Sequence, residues 1–349
     1  MGIAPYVPGE SKPNALKLSA NENPLGCSPR VKEALKSFAN INRYPDGGAR
    51  ALKDKIIEKF PGFERNNVLC GSGSDEIIGL LISAFTREGD EVLYSEYGFL
   101  MYKIYAAAFG AESVSAKEVG LKTSVENILS AVTEKTKLVF IANPNNPTGS
   151  YLTEKELEEL RAGLREDILL VVDGAYAEFL EVERSDYESG VNLARKYKNV
   201  IATRTFSKIH GLASLRIGYA FMAEELMDIM DRVRGPFNLN AVAQEMAIVA
   251  LDDEEFVRRS IAHNKEQLEY LRAEFDNLGI KYYPTWANFI LLDLLDKDSA
   301  NKLVSFLKEE DVMVRRVGAY GLPDKVRVTV GTAEENKILI DKIKKYQGV

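Results

Sequence analysis

The chain has 349 residues with a net charge of −7, and 46% of its residues are hydrophobic and 28% charged. This length exceeds what one small hydrophobic core usually organises, so we expect two domains. The acidic balance excludes a broad basic footprint for nucleic acid or an anionic membrane. Two cysteines and two histidines are too few for a disulfide framework or a zinc site.

The sequence also lacks the apolar runs that direct proteins to or across membranes. No run reaches the length of a membrane span, and the first residues lack the apolar stretch of a signal peptide. Few cysteines are typical of proteins in a reducing compartment. We therefore expect a cytoplasmic protein that binds neither nucleic acid nor membrane.

The first thirty residues are rich in proline, asparagine and glycine, and we predict that 1–30 form an N-terminal arm associated with a smaller domain. From about residue 66 to 220, short apolar runs alternate with runs of helical spacing. This alternation favours parallel pairing, so we predict an α/β large domain over 31–238 with a mostly parallel central sheet. The predicted strands lie in NNVLCGSGS, DEVLYS, KLVFIANPNNPTG, DILLVVDGAY and NVIATRTFSK.

Two of the predicted helices carry start signals. In SDEIIGLLISAF, either Ser74 or Asp75 is placed to cap the helix. In LTEKELEEL, Thr153 and Glu156 have the spacing of a capping box. After about residue 236 the pattern changes to a long helical segment followed by short apolar strands and further helices. We predict that 239–349 form a smaller α+β domain.

Polar side chains follow three consecutive predicted strands. Asn146, Asp173 and Lys208 are 27 and 35 residues apart, near the ~30 residues of one βαβ unit. Ligands of open parallel sheets bind beyond the carboxyl ends of the strands, so the three side chains should share one crevice. An amide, a carboxylate and an amine there suit a heteroaromatic aldehyde cofactor that forms a Schiff base with the lysine.

Two further signals point to a phosphate group. The loop GSGSDE precedes a predicted helix and offers backbone N–H groups, and Arg216 offers a charged clamp. Each residue alone has a simpler explanation as a turn, a cap or an ion pair. The loop does not fit a dinucleotide-binding G-x-G-x-x-G motif, because Glu76 occupies the third glycine position.

Longer motifs carry a resemblance to a known family. NPNNPTG, DGAYAEF, TRTFSKIHGLASLRIGYA and KVRVTVGT, in this order, resemble the fold-type-I pyridoxal-phosphate-dependent aminotransferases. ANENPLG, NRYPDGG and GSGSDEII resemble the histidinol-phosphate aminotransferase branch. The resemblance covers almost the whole chain and implies a homodimer with pyridoxal 5′-phosphate as cofactor.

The resemblance also implies residue roles. Lys208 would form the Schiff base, Asp173 would face the pyridine nitrogen, and Asn146 with Tyr176 would hold the O3′ oxygen; Lys208, Asp173 and Tyr176 are the predicted catalytic residues. Predicted phosphate ligands are the backbone of Ser74 and Asp75 together with Thr205, Ser207 and Arg216. Tyr97 would stack on the ring, and Tyr44 would reach cofactor and substrate from the neighbouring subunit. Predicted substrate ligands are Arg327, Arg315 and Asn23; the sequence leaves open whether Arg315 or Arg316 faces the site.

The implied reaction is transamination between L-histidinol phosphate and 2-oxoglutarate, which gives imidazole acetol phosphate and L-glutamate. Transamination of phenylalanine or tyrosine is an alternative, because their flat rings resemble imidazole in shape. A phosphothreonine decarboxylase shares most of these motifs, and a non-catalytic binding protein is disfavoured by Lys208. His210 stands where the family usually has an aromatic residue, and we interpret it as a packing residue or the source of a local hydrogen bond, not as a catalyst.

Overall fold

The computed structural model describes residue 5 and residues 12–349, so residues 1–4 and 6–11 of the predicted arm lie outside the described residues. Helices and strands are numbered separately in chain order. The helices are α1 Pro29–Ser37, α2 Arg50–Lys59, α3 Gly73–Phe85, α4 Leu100–Ala108, α5 Val125–Ser130, α6 Glu154–Gly163, α7 Ala177–Glu181, α8 Val191–Lys196, α9 Glu224–Val233, α10 Ala241–Leu251, α11 Glu254–Asn277, α12 Lys297–Glu309 and α13 Ala333–Gln347. The strands are β1 Leu16–Lys17, β2 Val68–Gly71, β3 Glu91–Ser95, β4 Glu112–Ala116, β5 Thr136–Ala142, β6 Leu169–Asp173, β7 Val200–Thr205, β8 Gly218–Phe221, β9 Lys281–Tyr283, β10 Phe289–Asp293, β11 Val312–Met313, β12 Arg315–Arg316 and β13 Lys325–Thr329.

A seven-stranded sheet in the order β2-β8-β7-β6-β5-β3-β4 forms the centre of the large domain. The pairs from β4 to β7 are parallel, which confirms the predicted mostly parallel sheet. β8 pairs antiparallel with β7 and β2 and was not predicted as a strand. The connection 206–217 contains no α-helix, and a parallel pair needs a longer crossover, so β8 must run back against β7.

Side chains of the central strands alternate between two apolar layers. In β6, Leu170 and Val172 lie in the core beneath α2, α5, α6, α8 and α10. Leu169 and Val171 lie in the opposite core, against α3, α4 and α9. This period of two predicts the direction of the next side chain: Asp173 should face the layer of α3 and α4.

The C-terminal part of the chain builds a second, antiparallel sheet in the order β12-β13-β10-β9. Its apolar core joins α11, α12 and α13, and it also contains Leu18 of the N-terminal arm. The arm strand β1 pairs in parallel with β11. The described part of the arm thus packs on this C-terminal unit.

The three-part division of the chain stays our proposal, with one change at its second boundary. The apolar side chains of α10, among them Met246 and Ala247, belong to the core of the large sheet. We therefore propose that the small domain begins after α10 and not at residue 239. Within the described residues, no helix is long and apolar enough to cross a membrane.

Of the two predicted helix starts, that of α6 is confirmed and that of α3 is wrong. Thr153 and Glu156 form the predicted capping box at α6, with reciprocal side-chain to backbone hydrogen bonds. The predicted cap of α3 was wrong, because α3 begins at Gly73 and its N-cap residue is Ser72. Ser74 and Asp75 therefore lie in the first turn. The side chain of Ser72 makes no capping hydrogen bond, which leaves first-turn N–H groups available for a ligand.

Candidate active site

A cavity of about 350 Å³ opens at the carboxyl ends of the central strands, where an open α/β sheet is expected to bind its ligand. Side chains from the large sheet, the N-terminal arm and the small domain line it. The lining residues are Lys17, Ser19, Ala20, Asn21, Glu22, Ser74, Asp75, Phe99, Ala142, Pro144, Asn146, Asp173, Ala175, Tyr176, Thr205, Ser207, Lys208, Ala213, Arg216, Arg315 and Arg327. Most of the predicted site residues are thus brought together.

Lys208 follows β7 and reaches the cavity among closely packed protein atoms. Its Nζ donates to the carbonyl of Ala20 at 3.3 Å and lies 5.7 Å from the ring centroid of Tyr176. Burial is the main cause that lowers the pKa of Lys208 from 10.5 to about 8, and the charge of Arg327 adds to it. An appreciable neutral fraction near neutral pH makes this amine a competent nucleophile.

Asp173 ends β6 and is buried at the floor of the cavity. Its Oδ2 accepts a hydrogen bond from the hydroxyl of Tyr102 at 2.9 Å, and its Oδ1 accepts one from Thr203 at 3.0 Å. Burial raises the pKa of Asp173, and the two hydrogen bonds only partly oppose this. A carboxylate held by neutral hydroxyls in a buried site suits a cationic partner, such as a protonated ring nitrogen.

Sequence reasoning missed both residues that hold Asp173. Thr203 carries a signal, because it lies two residues before Thr205 on β7 and so shares its face. Tyr102 carries none, because its role depends on the packing of α4 under the sheet, where its ring stacks on Phe140.

Asn146, Tyr176 and Arg327 line the cavity together with Lys208. Arg327 donates to the side-chain oxygen of Asn146 and, at 2.8 Å, to the carbonyl of Ser19. The hydroxyl of Tyr176 accepts from the amide of Asn21 at 2.9 Å. Within the described part of the chain, the buried Nε of Arg327 and Oγ of Ser19 have no hydrogen-bond partner. These donors suit an anionic ligand.

Another set of lining residues combines a helix N-terminus with a cation. Ser74 and Asp75 bring the first turn of α3 to the cavity, and Thr205, Ser207 and Arg216 also line it. Arg216 donates to the hydroxyl of Ser207 at 3.4 Å. A helix N-terminus and a guanidinium together favour a phosphate group.

Gly73 is required where the loop turns into α3. Its φ is +84°, and an added Cβ would lie 2.7 Å from the Nη2 of Arg216. A residue with a side chain would therefore be strained and would displace the arginine. The absence of a side chain at Gly73 therefore allows the guanidinium of Arg216 to lie close to the N-terminus of α3.

The structure shows which of the two neighbouring arginines, Arg315 or Arg316, faces the cavity. Arg315 lines the cavity with Arg327. Arg316 points away and donates to the side chain of Asn301 at 2.7 Å. Arg315 and Arg327 are register partners across β12 and β13, and directly opposed residues of an antiparallel pair face the same side.

The ring-stacking position differs from the sequence expectation. Tyr97 is not among the described residues that line the cavity; it packs with Val317, Tyr320 and Leu322. Phe99 lies on the cavity wall instead. The chain turns between these residues at the start of α4, and this turn decides which aromatic ring faces the cavity.

Asn23 also lies elsewhere than predicted. Its amide donates to the carbonyl of Ile209 at 2.8 Å and to the hydroxyl of Ser260 at 3.1 Å, so it fastens the arm to its surroundings. Among the described residues of this segment, Asn21 and Glu22 reach the cavity and Asn23 does not.

Tyr44 and His210 lie outside this cavity. Tyr44 is 83% exposed and stacks on Phe237, with ring centroids 4.6 Å apart. His210 is buried against Phe206, with ring centroids 4.9 Å apart. Burial lowers the pKa of His210 to about 4, which keeps it neutral near neutral pH and agrees with its interpretation as a packing residue.

The residues present fit pyridoxal 5′-phosphate. The cavity offers an amine for the aldehyde at Lys208, a carboxylate for the ring nitrogen at Asp173, and an anion site for the phosphate at Arg216 and α3. Asn146 and Tyr176 lie beside the amine, where they can hold the ring oxygen. These positions support the predicted cofactor-binding roles.

Comparisons with known proteins agree with this reading of the cavity. The family described as aminotransferase class I and II matches residues 13–343. The curated histidinol-phosphate aminotransferase of Paramagnetospirillum magneticum is 45% identical, covering 100% of this chain and 97% of that protein. That of Maricaulis maris is 44% identical, covering 99% and 97%.

Solved structures give the same result for the fold. The crystal structure of histidinol-phosphate aminotransferase from Sinorhizobium meliloti in complex with pyridoxal-5′-phosphate superposes with a TM-score of 0.89 at 25% identity, covering 95% of this chain and 91% of that chain. The histidinol-phosphate aminotransferase from Clostridium acetobutylicum gives a TM-score of 0.86 at 25% identity, covering 95% and 99%. The predicted fold-type-I architecture is confirmed. The chain belongs to the class I and II aminotransferase family.

Proposed function

We propose that this protein transfers amino groups between L-histidinol phosphate and 2-oxoglutarate with pyridoxal 5′-phosphate as cofactor, giving imidazole acetol phosphate and L-glutamate. The observation that carries the chemistry is the meeting of Lys208, Asp173 and Arg327 on one cavity. The curated relatives, which match nearly the full chain at 44–45% identity, support the choice of substrate.

Lys208 performs the proton transfers in this proposal. With its pKa lowered to about 8, this amine would hold the cofactor's aldehyde and would carry a proton to or from the substrate's Cα. Asp173 would pair with the protonated ring nitrogen and so favour that protonated form. The cofactor, when bound, supplies the electron-withdrawing ring that stabilises negative charge at that carbon.

Arg327 and Arg315 hold the anionic end of either substrate. The same fork of donors meets a phosphate or a carboxylate, so both substrates can use one site in turn. Arg327 is itself fixed by Asn146 and the carbonyl of Ser19. A held guanidinium loses little freedom when it binds its anion.

The test compares kcat/KM for histidinol phosphate, phenylalanine and tyrosine, with 2-oxoglutarate as acceptor. We expect histidinol phosphate to lead by at least about tenfold, which corresponds to roughly 1.4 kcal/mol of transition-state binding. A better rate with phenylalanine or tyrosine would instead assign an aromatic amino acid transaminase. Release of carbon dioxide from phosphothreonine would assign a decarboxylase.

We also infer a homodimer whose active sites are shared. Tyr44 and Ile41 are each 83% exposed and border an apolar surface cavity of about 620 Å³ with Phe38, Pro236 and Phe237. Large exposed apolar surface of this kind is typical of a protein interface. The proposed partner is a second copy of the chain, whose active site would receive Tyr44.

The cytoplasm is the proposed location. Cys27 and Cys70 are both free thiols, as expected in a reducing compartment. Burial raises the pKa of the Cys70 thiol to about 12. That cysteine is therefore unreactive, and neither thiol has a part in the proposed chemistry.

A further inference from the structure

Two opposite charges of the N-terminal arm line the same cavity as Lys208. Lys17 and Glu22 both line it, and their side chains form an ion pair with Nζ 2.7 Å from Oε1. Each side chain is 44% exposed. An ion pair this exposed contributes at most about 1 kcal/mol, so a ligand group can replace either partner at little cost.

The backbone beneath this ion pair is firmly held. The N–H of Asn21 donates to the hydroxyl of Thr329 at 2.9 Å. The amide of Asn288 donates to the carbonyl of Asn21 at 3.0 Å and to that of Glu22 at 3.3 Å. The backbone of Glu22 is therefore held in place, and its carboxylate reaches the cavity from a fixed base.

Glu22 differs from the other carboxylates that line the cavity. Asp173 accepts from Tyr102 and Thr203 at its floor, and Asp75 accepts from Tyr105 at 2.9 Å. Both carboxylates thus already accept hydrogen bonds from protein hydroxyls. Among the described lining residues, Glu22 is the carboxylate whose partner is an exposed lysine.

The two substrates of the proposed reaction make opposite demands on one region of the cavity. Both place an anion at Arg327 and their reacting carbon near Lys208, so their remaining groups point the same way. That group is an imidazole, with an N–H to donate, in histidinol phosphate. It is a carboxylate in 2-oxoglutarate and glutamate, which a lone Glu22 would repel.

We propose that the Lys17–Glu22 ion pair recognises the side chains of both substrates, one through each partner. Glu22 accepts a hydrogen bond from the imidazole N–H of histidinol phosphate, and Lys17 pairs with the distal carboxylate of 2-oxoglutarate or glutamate. Phenylalanine has no N–H in its ring and gains nothing from Glu22, so the pair discriminates against it. This inference rests on the proposed function and names the residues behind its substrate choice.

The test uses variants of both partners. Glu22→Leu should lower kcat/KM for histidinol phosphate at least tenfold more than kcat/KM for phenylalanine. Glu22→Gln, which keeps an acceptor oxygen, should recover most of this difference. Lys17→Met should lower kcat/KM for 2-oxoglutarate at least tenfold relative to pyruvate, which lacks the distal carboxylate. Calorimetric titration of the pyridoxamine-phosphate form with histidinol phosphate, which cannot react there, should show at least tenfold weaker binding in Glu22→Leu.

Lys12→Met and Asp311→Asn are matched controls. Lys12 and Asp311 form another exposed ion pair of the arm and do not line the cavity, so these variants should behave as wild type. Equal losses in the control and cavity variants, or an unchanged histidinol phosphate preference in Glu22→Leu, would overturn the inference. If the wild type itself lacks that preference, the proposed function fails instead.

Discussion

Lys208 must be both a nucleophile and a proton carrier, and its surroundings tune it for both tasks. Burial disfavours its charged form, and the cations Arg327 and Arg216 act in the same direction. Glu22 and Asp173 oppose this shift. The resulting pKa of about 8 keeps either protonation state within easy reach near neutral pH.

This tuning predicts a pH-dependent stability cost in the cofactor-free protein. Between pH 8 and 10.5 the unfolded chain binds the lysine proton and the folded chain does not, so stability should rise with pH in this window. Below pH 8 both the folded and the unfolded chain bind the proton, so the full destabilisation from burying a charged lysine is present. Lys208→Met removes it, and we expect this variant to be more stable by about 1–3 kcal/mol at pH 7, with the difference vanishing near pH 10.5.

Urea unfolding of both proteins at pH 7 and above pH 10 measures this difference. Lys155, whose side chain is 87% exposed, supplies the control: Lys155→Met should change stability by less than about 0.5 kcal/mol at either pH. A Lys208→Met protein that is equally or less stable at pH 7 would contradict the prediction.

The N-terminus of α3 has the features of an anion-binding site. The helix begins at Gly73 without a side-chain cap, and Arg216 approaches it within the space that a Cβ would occupy. Its N–H groups and this guanidinium then serve the same ligand. A side chain at this glycine should damage cofactor binding beyond its effect on folding.

Gly73→Ala tests this against a second glycine with nearly the same φ. Gly73 and Gly89 have φ of +84° and +85°, but an added Cβ at Gly89 meets nothing within 4 Å. Both alanine variants should lose about 1–2 kcal/mol of stability from the positive φ. We expect Gly73→Ala alone to weaken cofactor affinity, at least tenfold, in absorbance titrations of the cofactor-free protein. Equal affinities in the two variants would show that Arg216 tolerates the methyl group.

At the scale of the whole molecule, the cavity gathers residues from three parts of the chain. The large domain supplies Asp173 and Lys208, the arm supplies Glu22, and the small domain supplies Arg327. Tyr44 stands apart on an exposed apolar surface in the single chain. A second copy of the chain would bury this surface.

A shared active site predicts recovery of activity in mixed dimers. In a dimer with shared sites, Tyr44→Ala and Lys208→Ala would each inactivate every site of the pure dimer, whereas a hybrid dimer would keep one intact site. Random pairing of equal amounts should restore about one quarter of the wild-type sites. Assays after mixing and sedimentation measurements test this. A monomer at assay concentration, or a mixture that stays inactive, would refute the shared site.

The sequence by itself determined the parts of this protein that depend on chain order and local pattern. Apolar runs separated by helical segments predicted the parallel strands, and Asn146, Asp173 and Lys208 at their ends lie on one cavity. They converge because carboxyl ends of parallel strands share one edge of the sheet. The capping box of Thr153 and Glu156 is likewise local, since its hydrogen bonds span three residues.

The tertiary structure alone decided which neighbouring side chain faces the site. Phe99 and not Tyr97, Asn21 and not Asn23, and Arg315 and not Arg316 line the cavity. The direction of a side chain in a turn or a short strand is set by the element it packs on. For Arg315 that element is β13, because pairing opposite Arg327 turns both guanidinium groups to the same face of the sheet.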